Sequence, residues 1–218
     1  MAGPTTRPLN LLPQSALILT GPVDHPDWNY RPLLGRVQRM RFRMILDLLG
    51  DTHHRRILEI GYGSGVFLPE LARRCDEVHG VDIHPHTDEV TTRLAAYGVR
   101  ATLARAGAEK LPYDDGYFDC AVAVSTLECV TDIEAACREI RRVLAPGGVL
   151  AVVTPGATPL WDLALRVTTR VDASLYGDGR QRLRPALDRH FRPAREIAVP
   201  RVGGRALRLY TGLRLEAP

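Results

Sequence analysis

The chain has 218 residues, 45% hydrophobic and 25% charged, which suits one soluble domain with a full core. No run of about eighteen apolar residues is present and no basic-then-apolar leader opens the chain, so neither a transmembrane helix nor a secretory signal is expected. The net charge is +4 and Lys110 is the single lysine. No aromatics interleave with the arginines, which argues against nucleic-acid binding.

Residues 1–31 are rich in Pro, Thr and Gly and are expected to form an irregular lead-in to a single domain over 32–218. From Pro32 to Leu49, Leu33, Leu34, Val37, Met40, Met44, Ile45 and Leu48 recur at helical spacing, opposite Arg36, Arg39, Arg43 and Asp47. This predicts an amphipathic helix ended by Gly50. Packing on a central sheet is the first reading of that helix. Contact of its basic face with an anionic membrane, over residues 32–49, is the second. The expected location is cytoplasmic, or peripheral to a membrane if the second reading holds.

Strands and helices then alternate. Strands are expected at Arg56–Ile60, Glu77–Val81, Val99–Ala104, Phe118–Val124 and Gly147–Thr154. Helices are expected at Gly65–Arg74, Thr87–Tyr97 and Ile133–Leu144. Residues 155–190 read as a broken helical segment, with Gly177-Asp178-Gly179 as a turn. Ala194–Val199 and Ala206–Leu215 read as a closing antiparallel hairpin across Gly203-Gly204. This alternation predicts an α/β, Rossmann-like doubly wound sheet of about seven strands. The sheet is mostly parallel with an antiparallel C-terminal strand and helices on both faces.

Chemistry concentrates in Arg56-Ile-Leu-Glu-Ile-Gly-Tyr-Gly-Ser-Gly65. A buried strand runs into a glycine turn and then a helix. Glycines let a ligand approach the backbone and accept positive φ, and the helix start adds free N–H groups. Asp82, at the end of the next strand, can accept hydrogen bonds from a ribose diol. A nucleoside-containing cofactor is therefore expected. Val66 stands where a dinucleotide fingerprint has glycine or alanine, and Ala106, four residues before Lys110, rules out a Tyr-x-x-x-Lys hydride-transfer pair. A nucleotide-dependent oxidoreductase is the lesser alternative.

Four segments resemble class I S-adenosylmethionine-dependent methyltransferases of the small UbiE-like type. They are Leu58-Glu-Ile-Gly-Tyr-Gly-Ser-Gly65; Val81-Asp-Ile83; Ala108-Glu-Lys-Leu-Pro-Tyr113 with Phe118-Asp119; and Ser125-Thr-Leu-Glu-Cys-Val130 with Arg142-Val-Leu-Ala-Pro-Gly-Gly148. The resemblance implies S-adenosylmethionine as cofactor, with Glu59 and Gly61 bordering its methionine end and Gly63 and Gly65 shaping the turn. It implies Asp82 on the ribose, Ile83 on the adenine, Ala108 and Glu109 along the adenine pocket, and Ser125 near the methionine amine. Tyr62, inside the turn, is expected to touch the cofactor. Two positions depart from the family: Gly107 where an acid usually precedes Ala-Glu, and Cys129 where His often follows Leu-Glu.

Methyl transfer from a sulfonium needs alignment in a dry pocket, and a base only if the acceptor must lose a proton. Glu128, beyond the fourth strand, is the candidate catalytic residue, with a structural role as its alternative; His25, His84 and His190 are further candidate bases. Trp28, Tyr30, Leu33, Trp161, Leu165 and Tyr176 are candidates for an apolar acceptor pocket. The expected acceptor is a small or lipid-like molecule. A non-catalytic cofactor-binding protein of the same fold remains the alternative. Cys75, Cys120, Cys129 and Cys137 form no Cys-x-x-Cys pair and read as buried hydrophobes. His84 and His86 read as surface residues, and no metal is expected.

Overall fold

The computed structural model describes residues 8–21, 24–156, 158, 178–200, 204 and 207–218. Its strands are β1 (His54–Ile60), β2 (Cys75–Asp82), β3 (Ala101–Arg105), β4 (Phe118–Val124), β5 (Leu144–Pro155), β6 (Arg192–Val199) and β7 (Tyr210–Glu216). They form one sheet in the order β3-β2-β1-β4-β5-β7-β6. Neighbours from β3 to β5 pair parallel, and β7 runs antiparallel to both β5 and β6. The Rossmann-like sheet expected from the alternation, with its antiparallel last strand, is the one observed.

Alternate side chains along each strand enter opposite layers. Ile57, Cys120, Val122, Ala151 and Val153 join one core with Phe42, Ile45, Leu48, Leu71 and Leu94. These last come from α1 (Leu34–Leu49), α2 (Leu68–Leu71) and α3 (Thr87–Ala96). Leu58, Ile60, Ala121, Ala123 and Leu150 join the other core with Ile140, Val143, Leu183 and Leu187. Those come from α4 (Ile133–Val143) and α5 (Gly179–His190). Both faces of β4 are therefore covered, which is why its sequence is continuously apolar. Phe118, with no exposed area, stabilises the fold by about 2–3 kcal/mol relative to an exposed phenylalanine.

The α4 helix shows how sequence sets an element here. Ile133, Ala136, Cys137, Ile140 and Val143 fall on one stripe and are all buried, and the Asp132 carboxylate caps the helix by accepting from Ala135 N–H at 2.9 Å.

Five expectations need correction. The helix expected over Gly65–Arg74 is one α turn, Leu68–Leu71, followed by a 3-10 turn at Ala72–Arg74. Cys75 already pairs with His54 in the sheet, which leaves three residues after Leu71. So no long helix aims its end at the glycine turn. The lead-in is not simply irregular: 3-10 turns form at Gln14–Ala16 and Pro26–Tyr30, Leu12 and Ala16 are buried, and Leu12 N–H donates to Val66 O at 3.1 Å. Gly179 begins α5 rather than closing a turn, and β7 starts at Tyr210 rather than Ala206. Only three of the four cysteines are buried; Cys129 is exposed, because it ends a 3-10 turn beyond β4 instead of lying in the sheet.

Strand order reverses between β1 and β4: β2 and β3 extend to one side, β5 to the other. A crevice opens at that point, beyond the carboxyl ends of the strands.

Candidate functional site

The chain leaves β1 through Gly61, Gly63 and Gly65, with φ of 76°, 51° and 75°. Glycine alone adopts this left-handed backbone without a Cβ penalty. Gly61 N–H donates to Val81 O at 2.8 Å, and Gly65 N–H closes the turn on Tyr62 O at 2.8 Å. A Cβ at Gly61 would overlap the Thr126 side chain, so the loops after β1 and β4 touch there. Gly65 faces Val90 and Leu94 of α3 and shapes the turn from behind.

Asp82 ends β2. Its Oδ2 accepts Gly63 N–H at 2.8 Å and its Oδ1 accepts His84 N–H at 3.3 Å. These bonds fix the carboxylate at the crevice while leaving lone pairs for a ligand. His84 lies 2.9 Å through Nε2 from Gly63 O, and His86 N–H donates to its Nδ1 at 3.1 Å. Nε2 therefore carries the proton, and both ring nitrogens are engaged. His84 is buried, not the surface residue its sequence suggests, because it braces the glycine turn against the end of β2. His86 is half-buried behind it.

Tyr62 lays its ring across Gly80, where a Cβ would stand 2.8 Å from Cδ1, meets His84 edge-on at 5.0 Å, and donates to Thr87 Oγ1 at 3.2 Å. It borders the crevice with its ring while its hydroxyl is used elsewhere. Ile83, by contrast, is 73% exposed, an apolar surface open to a flat ring.

Glu59 is buried in β1 and its Oε2 has no hydrogen-bond partner. Burial, with Asp82 nearby, raises its pKa well above the ordinary carboxylate range. Ser125 follows β4 at φ 54°, a conformation that costs a non-glycine residue of order 1–3 kcal/mol. Its N–H donates to Val153 O at 2.7 Å and its Oγ has no partner. Two orphaned polar groups thus border one cavity, and each such group is costly unless a ligand satisfies it.

A cavity of about 730 Å³ joins these groups. Glu59, Gly61, Tyr62, Gly63, Asp82, Ile83, Ala108, Glu109 and Ser125 all line it. At Gly107 the Glu109 carboxylate folds back, 2.8 Å from where a Cβ would stand, and fills the space the missing side chain leaves. The volume falls within the usual ligand-site range.

The rest of the wall comes from distant segments. Asp24, His25 and Trp28 reach in from the lead-in, Arg41 and Phe42 from α1, Thr126 and Cys129 from beyond β4, and Pro155 and Tyr210 from the far strands. His25 and Trp28 stack at 4.2 Å. Asp24 receives the Thr20 hydroxyl at 2.5 Å, and burial raises its pKa.

Not every expected residue reaches the cavity. Tyr30 does not line it, because its hydroxyl is spent on Leu12 O. Leu33 is 77% exposed on the outside of the molecule. His190 bonds Glu134 at 2.7 Å, on another face of the fold. Glu128 is buried behind the wall rather than in it, with neither carboxylate oxygen bonded, and burial pushes its pKa up to about 7. Cys129 lines the cavity, but partial burial and the Glu128 charge push its thiol up to about 11, so it is no base at neutral pH. Trp161, Leu165 and Tyr176 lie outside the described residues. Asp24, Arg41, Thr126 and Tyr210 are wall residues that the sequence reading did not single out. Arg41 alone left a signal, an arginine at an apolar position of the α1 stripe.

Residues 58–152 match the family model described as a methyltransferase domain. A malonyl-[acyl-carrier protein] O-methyltransferase from Halorhodospira halophila is 34% identical over 114 residues, covering 51% of this chain and 39% of that protein. The ubiquinone/menaquinone biosynthesis C-methyltransferase UbiE of Pseudomonas putida is 32% identical over 127 residues, covering 56% and 50%. The match spans half or less of these relatives' length. Among solved structures, the geranyl diphosphate C-methyltransferase of Streptomyces coelicolor A3(2) superposes with a TM-score of 0.65 at 16% identity, over 92% of this chain and 85% of that one. The [4+2]-cyclase SpnF gives 0.61 at 21% identity, over 86% and 83%. At these identities the likeness is one of fold. The matched core, residues 58–152, is similar to a methyltransferase domain, and the strand order and the superposed structures agree with the fold of class I, S-adenosylmethionine-dependent methyltransferases.

Proposed function

We propose that the chain binds S-adenosylmethionine across the ends of β1, β2 and β4 and transfers its methyl group to a small or amphiphilic acceptor. The observation that carries this is the Asp82 carboxylate, anchored by Gly63 N–H at 2.8 Å, beside an exposed Ile83 and an orphaned Glu59 Oε2 in one cavity. Asp82 would take the ribose diol and Ile83 with Ala108 the adenine faces, while Glu109, folded over Gly107, would stand at the adenine edge. Glu59 and the Ser125 hydroxyl would meet the methionine ammonium, an ideal donor for a buried carboxylate.

The cofactor supplies an already activated methyl on sulfur. The protein's part is to hold the acceptor in line and exclude water. Trp28, Phe42, Val130 and Pro155 give the acceptor half of the cavity apolar walls. Where the acceptor must lose a proton, His25 is the cavity group best able to take it. Its ring nitrogens make no hydrogen bond within the described residues, whereas those of His84 are both used. Glu128 acts at a distance, as a buried charge behind the wall.

The relatives name O- and C-methylation of different acceptors, so acceptor type follows from the second half of the cavity rather than from the matched core. Peripheral contact with anionic lipid is part of this reading, because exposed Leu33, the residue that precedes α1, accepts the N–H of exposed Arg36 in the first turn of that helix. Among the described residues no helix is long and apolar enough to cross a membrane.

Calorimetry tests the core of the proposal. Micromolar binding of S-adenosylmethionine and S-adenosylhomocysteine, without NAD binding, is the expected result. Cofactor binding with no methyl transfer across a broad acceptor panel would favour a non-methylating role, as the fold likeness to a [4+2]-cyclase allows. Absence of any sulfur-cofactor binding would overturn the proposal. Sedimentation with phosphatidylserine vesicles at low and high salt tests the lipid contact, and no binding at low salt removes it.

A further inference from the structure

The inner face of α1 carries a guanidinium among apolar side chains. Val37, Met44, Ile45 and Leu48 form the stripe that packs on the sheet, and Arg41 falls on that stripe, a turn from Val37 and from Met44. It lines the cavity together with Gln38, one turn earlier on the same helix.

Arg41 is held but not neutralised. Its Nε donates to Gln38 O at 3.2 Å, and its guanidinium carbon lies 5.7 Å from the Phe42 ring centre. It makes no salt bridge among the described residues. Several other partly buried arginines pair with carboxylates, Arg56 with Glu77 at 3.1 Å, Arg74 with Glu70 at 3.6 Å, and Arg142 with Glu139 and Asp115 at 2.8 Å, while Arg39 and Arg214, which do not line the cavity, donate to the Asn29 and Leu48 carbonyls. A guanidinium cannot shed its charge, so a half-buried one without a carboxylate invites an anion.

The cavity separates charge along its length. Among the described residues its acids are Asp24, Glu59, Asp82 and Glu109, which border the glycine turn, the end of β2 and the 106–109 loop, and Arg41 is the single arginine or lysine in its wall. The Arg41 charge is felt at Glu128, just beyond β4, and at Tyr210, which begins β7. Glu128 is an incomplete counter-charge, buried with neither oxygen bonded. Trp28, Phe42 and Pro155 give the same cavity apolar wall, and the Phe42 ring lies against the Arg41 guanidinium.

We propose that Arg41, with Gln38 as a second donor, binds an anionic group (a carboxylate or phosphate) on an amphiphilic acceptor. This rests on the methyltransferase reading and adds to it the chemical class of the acceptor. A planar guanidinium matches either oxyanion with two parallel hydrogen bonds, and the apolar wall takes the attached chain.

The test uses the full chain saturated with S-adenosylhomocysteine and three eight-carbon probes: octyl phosphate, octanoate and octanol. Calorimetry should show one or both anions binding at least tenfold tighter than octanol. The preferred anion tells phosphate from carboxylate. Arg41→Met restores an apolar stripe and should fold at least as well by thermal melt. It should lose at least tenfold in anion affinity while S-adenosylhomocysteine affinity stays within about twofold. Arg41→Gln serves as a second neutral variant with the same expectation. Octanol binding as tightly as the anions, anion binding unchanged in both variants, or no probe binding to the loaded wild type would each overturn the proposal. Failure of the wild type to bind S-adenosylhomocysteine is a separate result, which breaks the methyltransferase reading and this proposal with it.

Discussion

The two halves of the cavity are built differently. The half proposed to hold the cofactor comes from loops that follow the parallel strands β1 to β4, and its working parts are backbone geometry and one anchored carboxylate. The half proposed for the acceptor draws on residues as far apart in sequence as His25, Arg41, Thr131 and Tyr210. A loop that must cradle a fixed ligand constrains its own sequence locally. A wall assembled from distant segments constrains each of them weakly, and can change its acceptor without changing the fold.

Substitutions can break or sharpen this contrast. The largest expected effect is Asp82→Ala, which removes the diol acceptor and frees Gly63 N–H. A loss of about 3 kcal/mol, roughly a hundredfold in S-adenosylhomocysteine affinity, should appear by calorimetry. Retention of affinity would mean that the nucleoside half is wrongly placed.

Glu128 probes the boundary between the halves. Below about pH 4.5 its carboxyl is protonated in both folded and unfolded chains; between there and about 7 the folded form keeps a proton that the unfolded chain releases. Stability should therefore fall as pH rises through that window and level off above it. Glu128→Gln should flatten the slope and gain up to about 3 kcal/mol over wild type at pH 8, read by urea unfolding at several pH values. An unchanged slope would show that Arg41 and Arg180 stabilise the ionised form more than burial opposes it.

Ile83→Ala tests the nucleoside half without touching the core, since Ile83 is 73% exposed. Cofactor affinity should drop by about 1 kcal/mol, roughly fivefold, with no change in melting temperature. A lower melting temperature would point to a structural rather than a ligand contact. The smallest effect is expected for Trp28→Ala: acceptor KM should rise roughly threefold to fivefold at constant cofactor affinity. Loss of cofactor affinity instead would erase the distinction between the halves.

Motif position picks out Glu59, Gly61, Asp82, Ile83 and Ser125, and all five line one cavity, while their contacts with a cofactor belong to the proposal. His84 was misread because its burial depends on Gly63 O, 21 residues away in sequence, reaching its ring. Tyr30 and Leu33 were misplaced for a related reason: aromatic and apolar character says that a side chain seeks cover, not where. The Tyr30 hydroxyl finds Leu12 O in the lead-in, and Leu33 stays outside.

By itself the sequence determined the strand–helix alternation, the two-sided burial of β4, the capped stripe of α4 and the glycine turn, because each depends on side-chain period or on backbone φ within a few residues. Only the tertiary structure decided that α2 shrinks to one turn, that Glu109 fills the space at Gly107, that Glu128 lies behind the wall, and that Arg41 enters the cavity without a carboxylate partner among the described residues. Those outcomes depend on sheet register and on which distant segments come together, and long-range packing of that kind leaves little trace in local pattern.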